Sequence, residues 1–98
     1  MQSIVKSSNP IRKFLKQRFK ELNLTLDQIC ADGTRHKQKI FKPQLSRYLS
    51  GSNDVKYGII SEQIIVFLCC RYCINIKLKV TKLPYSEESA LENVKKYF

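Results

Sequence analysis

The chain has 98 residues, 43% of them hydrophobic, which suits one domain with a modest core and excludes a second domain. Eighteen Lys and Arg against eight Asp and Glu give a formal charge of +10, which predicts a polyanionic partner such as nucleic acid or an anionic membrane surface. The longest apolar run, 64–70, is far shorter than the roughly 20 residues of a membrane span, so we predict no transmembrane segment.

The N-terminal part is predicted to be a loose basic arm over residues 1–8, followed by a helix. Asn9 is suited to the N-cap, and Pro10 to the first helical position, where its missing N–H is not needed. Apolar residues then recur at three- and four-residue spacing, which predicts one buried stripe on a basic helix. The stripe consists of Ile11, Phe14, Leu15, Phe19 and Leu22.

A second helix is predicted to begin after Thr25. Thr25 and Gln28 have the spacing of a capping box, and Leu24 and Ile29 have that of a hydrophobic staple. Gly is a common helix terminator, so this helix is expected to end near residue 32 or 33.

The segment 41–51, FKPQLSRYLSG, is predicted to form a short third helix that ends at Gly51. Leu45 and Leu49 lie at i, i+4 spacing and are expected to face the core. The remaining side chains are polar or basic and suit contacts with base edges and phosphates in a DNA groove.

Together, TLDQICADG and IFKPQLSRYLSG resemble the two helices of a Cro/repressor-type helix-turn-helix, with LSRYLSG at 45–51 as the most specific part. The resemblance covers about residues 10–83. It implies that the third helix reads bases through Lys42, Pro43, Gln44, Ser46, Arg47 and Ser50. It also implies that residues of the second helix and the turn bind phosphates, namely Thr25, Arg35, His36, Lys37 and Lys39.

One departure from that family is the spacing between the helices. Eleven residues lie between Gly33 and Leu45, more than the family usually has. We therefore interpret residues 34–39, TRHKQK, as an insertion that either extends the second helix or bulges from the turn. A basic loop there would bind phosphates and steepen the salt dependence of binding, and a solvated mobile loop is the alternative.

A fourth helix, 62–73, is predicted after an N-cap at Ser61, and its nearly continuous apolar sequence places it at the centre of the core or in an interface. Cys70 and Cys73 form a CxxC pattern on its last turn. Two further ligands with a pairing pattern are missing, so we interpret these cysteines as buried, reduced thiols and predict no metal site. The cysteine spacing and the absence of a signal-peptide pattern favour a reducing cytoplasm.

The segment 75–83, NIKLKVTKL, alternates with the period of a β-strand. A lone strand cannot satisfy its own backbone, so we expect it to pair with its copy in a homodimer. Its inward residues, Ile76, Leu78 and Val80, are the predicted dimerisation contacts. A last helix capped by Ser86 is expected to pack on the partner or fold over its own core.

The expected fold is one mostly α domain over 1–98, with helix 1 and the helix-turn-helix pair at 9–51 and the core helix, strand and short C-terminal helix at 52–98. The resemblance implies a double-stranded DNA-binding regulator, a repressor that binds a palindromic operator as a dimer. It would act in the cytoplasm on the nucleoid, or in the host cytoplasm if virus-encoded.

Two alternatives stay open: an antitoxin-like module with a protein partner and autoregulatory DNA binding, and an RNA-binding protein. We predict no enzyme and no cofactor, because the sequence has no carboxylate pair, no nucleophile with a base and no phosphate-cradling Gly loop.

Overall fold

A computed structural model describes residues 8–51, 60–77 and 79–98, with the side chains of residues 8 and 9 left out. Residues 1–7 of the expected arm, residues 52–59 of the expected loop and Leu78 lie outside the described residues, and Ser8 belongs to α1. The elements in chain order are α1 (Ser8–Glu21), α2 (Leu26–Arg35), α3 (Lys42–Ser50), α4 (Glu62–Arg71), β1 (Ile74–Asn75), β2 (Thr81–Lys82) and α5 (Glu87–Tyr97). The expectation of a mostly α fold is confirmed.

The core forms around α1 and α4. Helix α1 buries Ile11, Leu15 and Phe19, as the apolar spacing predicts, although the helix begins at Ser8, slightly before the expected N-cap. Helix α4 buries residues on several sides and contacts α1, β1 and α5, so the prediction that it forms the centre of the core is confirmed. Helix α5 packs on α4 through Ala90 and Val94 rather than leaving its whole apolar stripe for a partner.

Three helices begin at the caps that the sequence predicts. The Thr25 hydroxyl accepts from the Gln28 N–H at 3.2 Å while the Gln28 side chain accepts from the Thr25 N–H at 2.8 Å, completing the capping box. Ser61 accepts from the Ile64 N–H, and Ser86 accepts from the Ser89 N–H. These bonds satisfy N–H groups that have no partner within their helix.

The strand prediction for 75–83 is wrong in one respect: the segment is a hairpin and not one continuous strand. Ile74 pairs with Lys82 and Asn75 with Thr81 in a two-stranded antiparallel sheet within the chain. The Asn75 side chain accepts from the Lys77 N–H at 3.1 Å, a local bond that favours a turn. Alternation predicts which face is buried but not where the strand reverses, so the period-two pattern concealed the turn.

The dimer is predicted because a lone strand needs a partner strand, and the hairpin provides that partner within the same chain. Ile76 and Val80 are half-buried and pack against the core of their own chain. Dimerisation through Ile76, Leu78 and Val80 therefore stays a prediction without its original structural reason.

None of the described helices combines the length and the apolar character needed to cross a membrane.

Candidate nucleic-acid interface

Helix α3 is held to the protein by one side and exposes the other. Leu45 is completely buried and Leu49 is half-buried against the core. The helix ends at Gly51, which has φ 79°, a left-handed conformation that glycine adopts without the strain that a Cβ introduces. Helix α3 packs against both α1 and α2, so its orientation is fixed by two neighbours.

The six side chains expected to read bases remain at the surface to different degrees. Lys42, Ser46 and Ser50 follow each other at four-residue spacing and are exposed, which defines an outward stripe along α3. Pro43, Gln44 and Arg47 flank the stripe and are half-buried. We name these six residues the α3 face. None of them is buried in the core.

Ser50 and Lys42 of the α3 face contact other groups of the chain. The Ser50 hydroxyl donates to the Arg47 carbonyl at 3.0 Å, a bond that turns its proton toward the helix itself. The Lys42 ammonium lies 3.0 Å from the Asp27 carboxylate, and both side chains are exposed. An exposed pair of this kind is worth at most about 1 kcal/mol, so a phosphate can replace Asp27 as the partner of Lys42.

The Lys42–Asp27 pair also shows that the N-termini of α2 and α3 lie close together. Thr25 caps α2 at the same end, and its hydroxyl keeps a proton that it can donate. Backbone N–H groups at helix N-termini favour anions, so this end of the α2–α3 pair suits a phosphate. Thr25 therefore lies at the end of α2 whose Asp27 contacts Lys42 of the α3 face, and its phosphate contact stays a prediction.

The turn between α2 and α3 is ordered. Residues Thr34 and Arg35 extend α2, so the first of the two interpretations of the insertion holds for its beginning. Lys37 then has a left-handed backbone, φ 61°, and Gln38 is buried, where its side chain accepts from Gln63 of α4 at 2.9 Å. Lys37 and Lys39 alternate with buried Gln38 and Ile40 and are exposed.

Gly33 makes the tight end of this turn possible. A Cβ on Gly33 would lie 2.6 Å from the Gln38 carbonyl oxygen and 2.6 Å from Cδ1 of Ile40. The Gly33 carbonyl also accepts from the N–H groups of His36 and Gln38, at 3.0 and 2.8 Å. The prediction that α2 ends near Gly33 is therefore wrong, because α2 continues to Arg35. Gly33 instead allows the following chain to pack closely against the last turn of α2.

Arg35 and His36 both lie near the carboxylate of Asp32. The Arg35 guanidinium lies 3.1 Å from the buried carboxylate of Asp32. The ring of His36 packs on Phe67, with 5.7 Å between ring centroids, and its Nε2 lies 3.9 Å from Asp32. The packing of His36 directs its ring toward α4, whereas the Arg35 side chain is 72% exposed. Phosphate binding by these two residues stays a prediction.

A buried charge network joins α2, α4 and α5, and sequence reasoning missed it. Arg71 donates through Nε to Asp32 at 2.7 Å, through Nη2 to Glu87 at 2.7 Å and through Nη1 to Tyr85 at 3.1 Å. The side chains of Asp32 and Arg71 are 6% and 8% exposed. Arg71 is a basic residue in the otherwise apolar α4, which indicates that it needs a partner, but the sequence does not show that the partner is Asp32.

The pKa values of Glu87 and Tyr72 are shifted in this network. Hydrogen bonding from Tyr85, followed by the charge of Arg71, lowers the pKa of Glu87. Burial raises the pKa of Tyr72, which lies against Asp32. A cavity of about 510 Å³ adjoins the network, but the polar groups on its wall already bond to one another, so we interpret the network as a structural tie.

The cysteines provide no obvious reactive group. All four are free thiols, with Cys69 and Cys73 buried and Cys30 and Cys70 half-buried. Burial raises the pKa of Cys69 to about 12, and burial also raises the pKa of Cys70 and Cys30. Such thiols stay protonated near neutral pH and are weak nucleophiles. Within the described residues, no group of three or more His, Cys, Asp or Glu side chains is arranged to hold a metal ion.

Comparison with protein-family models, with curated proteins and with solved structures finds no match. The resemblance to the Cro/repressor family therefore stays a prediction based on the residues quoted above.

Proposed function

We propose that this protein is a sequence-specific double-stranded DNA-binding regulator, a repressor that acts in the cytoplasm. The observation that carries the proposal is the α3 face: a helix that ends at Gly51 and is fixed by the buried Leu45, with Lys42, Ser46 and Ser50 on its exposed side. A rigid polar helix of this kind matches the way that recognition helices enter a major groove.

Charge supports nucleic acid as the partner. The formal charge is +10, and Lys37 and Lys39 are exposed in the turn that precedes α3. In the proposal these lysines and the N-terminal end of α2 contact phosphates, which set affinity, while Gln44 and Arg47 contact base edges, which set sequence preference. Two copies on a palindromic operator would separate their α3 helices by about 34 Å.

The aromatic side chains bear on single-stranded RNA, the alternative nucleic-acid ligand. Recognition of single strands relies on exposed aromatic rings on which bases stack. Phe19 and Phe67 are buried, and Phe14 is half-buried against the core. These three rings are engaged in packing, but Phe41 beside the turn is 51% exposed. The proposal of duplex DNA therefore depends on the α3 face and not on a lack of exposed rings.

The proposal is tested by selecting binding sites from random duplexes and measuring their affinities by fluorescence anisotropy over a range of salt concentrations. Arg47→Lys keeps the charge but removes the bidentate fork, so it should weaken the selected duplex by about 1–3 kcal/mol and an unrelated duplex much less. Lys37→Ala should weaken both duplexes alike and reduce the salt dependence. Absence of duplex binding at low salt would overturn the proposal.

An antitoxin-like interaction module is the second candidate. It is favoured by four of the exposed large hydrophobic side chains, which lie in the C-terminal part of the chain: Leu83, Leu91, Tyr97 and Phe98. Co-purification of a stoichiometric small protein that binds this region, with DNA binding retained, would favour this candidate.

A further inference from the structure

A groove opens between α4, the hairpin and α5. It has a volume of about 530 Å³, within the range typical of small-molecule sites. Its floor is formed by Val66, Cys70, Cys73 and Ile74, and Leu83 forms part of its wall. We call it the α4–α5 groove. Its apolar lining excludes a strongly polar ligand as its main occupant.

The mouth of the α4–α5 groove is cationic. The ammonium of Lys77 lies 5.0 Å from the centre of the Tyr97 ring, and that of Lys96 lies 5.8 Å from the same ring. No Asp or Glu is among the described residues that line the groove, and neither lysine has a carboxylate partner within the described part of the chain. Two positive charges thus converge on one aromatic ring beside an apolar floor.

The polar groups deeper in the α4–α5 groove are already engaged. The Asn93 amide donates to the Cys70 carbonyl at 3.3 Å, and the Asn75 oxygen accepts from the Lys77 N–H. The groove therefore offers an incoming molecule apolar contact inside and the positive charges of Lys77 and Lys96 at the mouth.

We propose that the α4–α5 groove binds a single-chain anionic amphiphile, an acyl carboxylate whose chain lies on the Val66–Ile74 floor and whose head group contacts Lys77 and Lys96. The chain would bury methylene groups against apolar side chains, and the carboxylate would gain two ammonium partners. This site shares no residue with the α3 face, so the inference does not depend on the proposed function.

Calorimetric titration with monomeric dodecanoate, below its micelle concentration, tests the inference. We expect saturable binding that strengthens with chain length from eight to twelve carbons, by up to about fourfold for each fully buried methylene. Dodecanol should bind at least about fivefold more weakly, and dodecyltrimethylammonium should not compete. Equal affinity for dodecanoate and dodecanol, or no saturable binding at millimolar dodecanoate, would overturn the inference.

Variants at the mouth give an independent readout. Lys77→Met and Lys96→Met should each weaken dodecanoate binding several-fold and leave dodecanol binding unchanged. Lys95→Met is the matched control, since Lys95 is exposed on the same helix but does not line the groove, and it should bind dodecanoate as the parent protein does. All three lysines are exposed, so the variants are expected to fold, which circular dichroism checks. Unchanged affinity in the double variant would contradict the proposal.

Cys70 reports occupancy directly, because it is half-buried in the groove floor. Saturating dodecanoate should slow its alkylation by a maleimide at least about fivefold, measured by peptide mass spectrometry, while Cys30 outside the groove is unaffected. Binding to anionic vesicles, measured in parallel, distinguishes a site for monomeric dodecanoate from binding to a bilayer surface. Binding to vesicles without any protection of Cys70 by monomeric dodecanoate would contradict a single-molecule site.

Discussion

At the scale of single residues, Arg71 connects three helices. Its guanidinium contacts Asp32 of α2 and Glu87 of α5 from its own position in α4. A buried ion pair adds little net stability relative to apolar residues, but removing one partner leaves an uncompensated charge. Asp32 and Arg71 are 39 positions apart, so no local pattern predicts their contact, and the sequence analysis overlooked both.

We expect Arg71→Met to lower the free energy of unfolding by about 3–5 kcal/mol, because it leaves Asp32 buried without its main partner. Urea denaturation at neutral pH measures this change. Arg35→Gln is the control, since Arg35 contacts the same carboxylate but its side chain is 72% exposed, and its loss should be below about 1 kcal/mol. Similar small losses in both variants would contradict a stabilising role for the buried pair.

The charge of Glu87 makes stability depend on pH. Its pKa in the folded state is lower than the ordinary value of 4.5, because Tyr85 donates to the carboxylate and Arg71 pairs with it. The ionised form is thus favoured by folding, so its contribution is fully present above about pH 4.5 and is lost as the pH falls through the lower folded-state pKa.

Glu87→Gln should accordingly be less stable than the parent protein at pH 7, and the difference should shrink as the pH falls below 4.5. Parallel urea titrations at pH 7 and pH 3 measure the two differences. Tyr85→Phe removes the donating hydroxyl and should reduce the pH dependence without abolishing it, since Arg71 remains. A constant difference across this range would refute the assignment.

At the scale of elements, the helix caps were predictable and the hairpin was not. Thr25, Ser61 and Ser86 each accept from an N–H three residues later, so the information lies within one helical turn. The reversal at 76–80 instead depends on the pairing of Ile74 with Lys82 and on the packing of Ile76 and Val80 against the core. Contacts that distant segments supply cannot be read from periodicity alone.

The same distinction applies to the candidate site. The bounds of α3 and the inward position of Leu45 follow from local spacing and a terminal glycine. The packing of the His36 ring depends on Phe67 in the distant α4, which local spacing does not reveal.

Substitutions at Thr25 allow the stability of α2 and the contact with DNA to be measured separately. Asp is a good N-cap, so Thr25→Asp should change the free energy of unfolding by less than about 1 kcal/mol. Its negative charge lies at the end of α2 whose Asp27 contacts Lys42, and it should weaken duplex binding at least tenfold through repulsion of phosphates. Anisotropy and urea denaturation give the two quantities. Thr25→Asn preserves the cap without the charge and should bind duplex nearly normally. Equal binding by the two variants would contradict a phosphate near Thr25.

At the scale of the whole molecule, the two proposed surfaces lie on different elements. The α3 face is fixed by packing on α1 and α2, whereas the α4–α5 groove is formed by α4, the hairpin and α5. No residue of the α3 face lines the α4–α5 groove, so variants at one surface are expected to leave the other intact. This arrangement allows DNA binding and amphiphile binding to be tested separately in the full chain.

The central claim is that the exposed side of α3 contacts duplex DNA, and Ser46→Glu tests it most directly. Ser46 is exposed in the middle of the outward stripe, so the substitution adds a negative charge there without disturbing the core. Ser89→Glu adds the same charge at an exposed position of α5 and is the matched control. Fluorescence anisotropy at low salt should give at least a tenfold weaker duplex affinity for Ser46→Glu than for Ser89→Glu, and equal affinities for the two folded variants would contradict the claim.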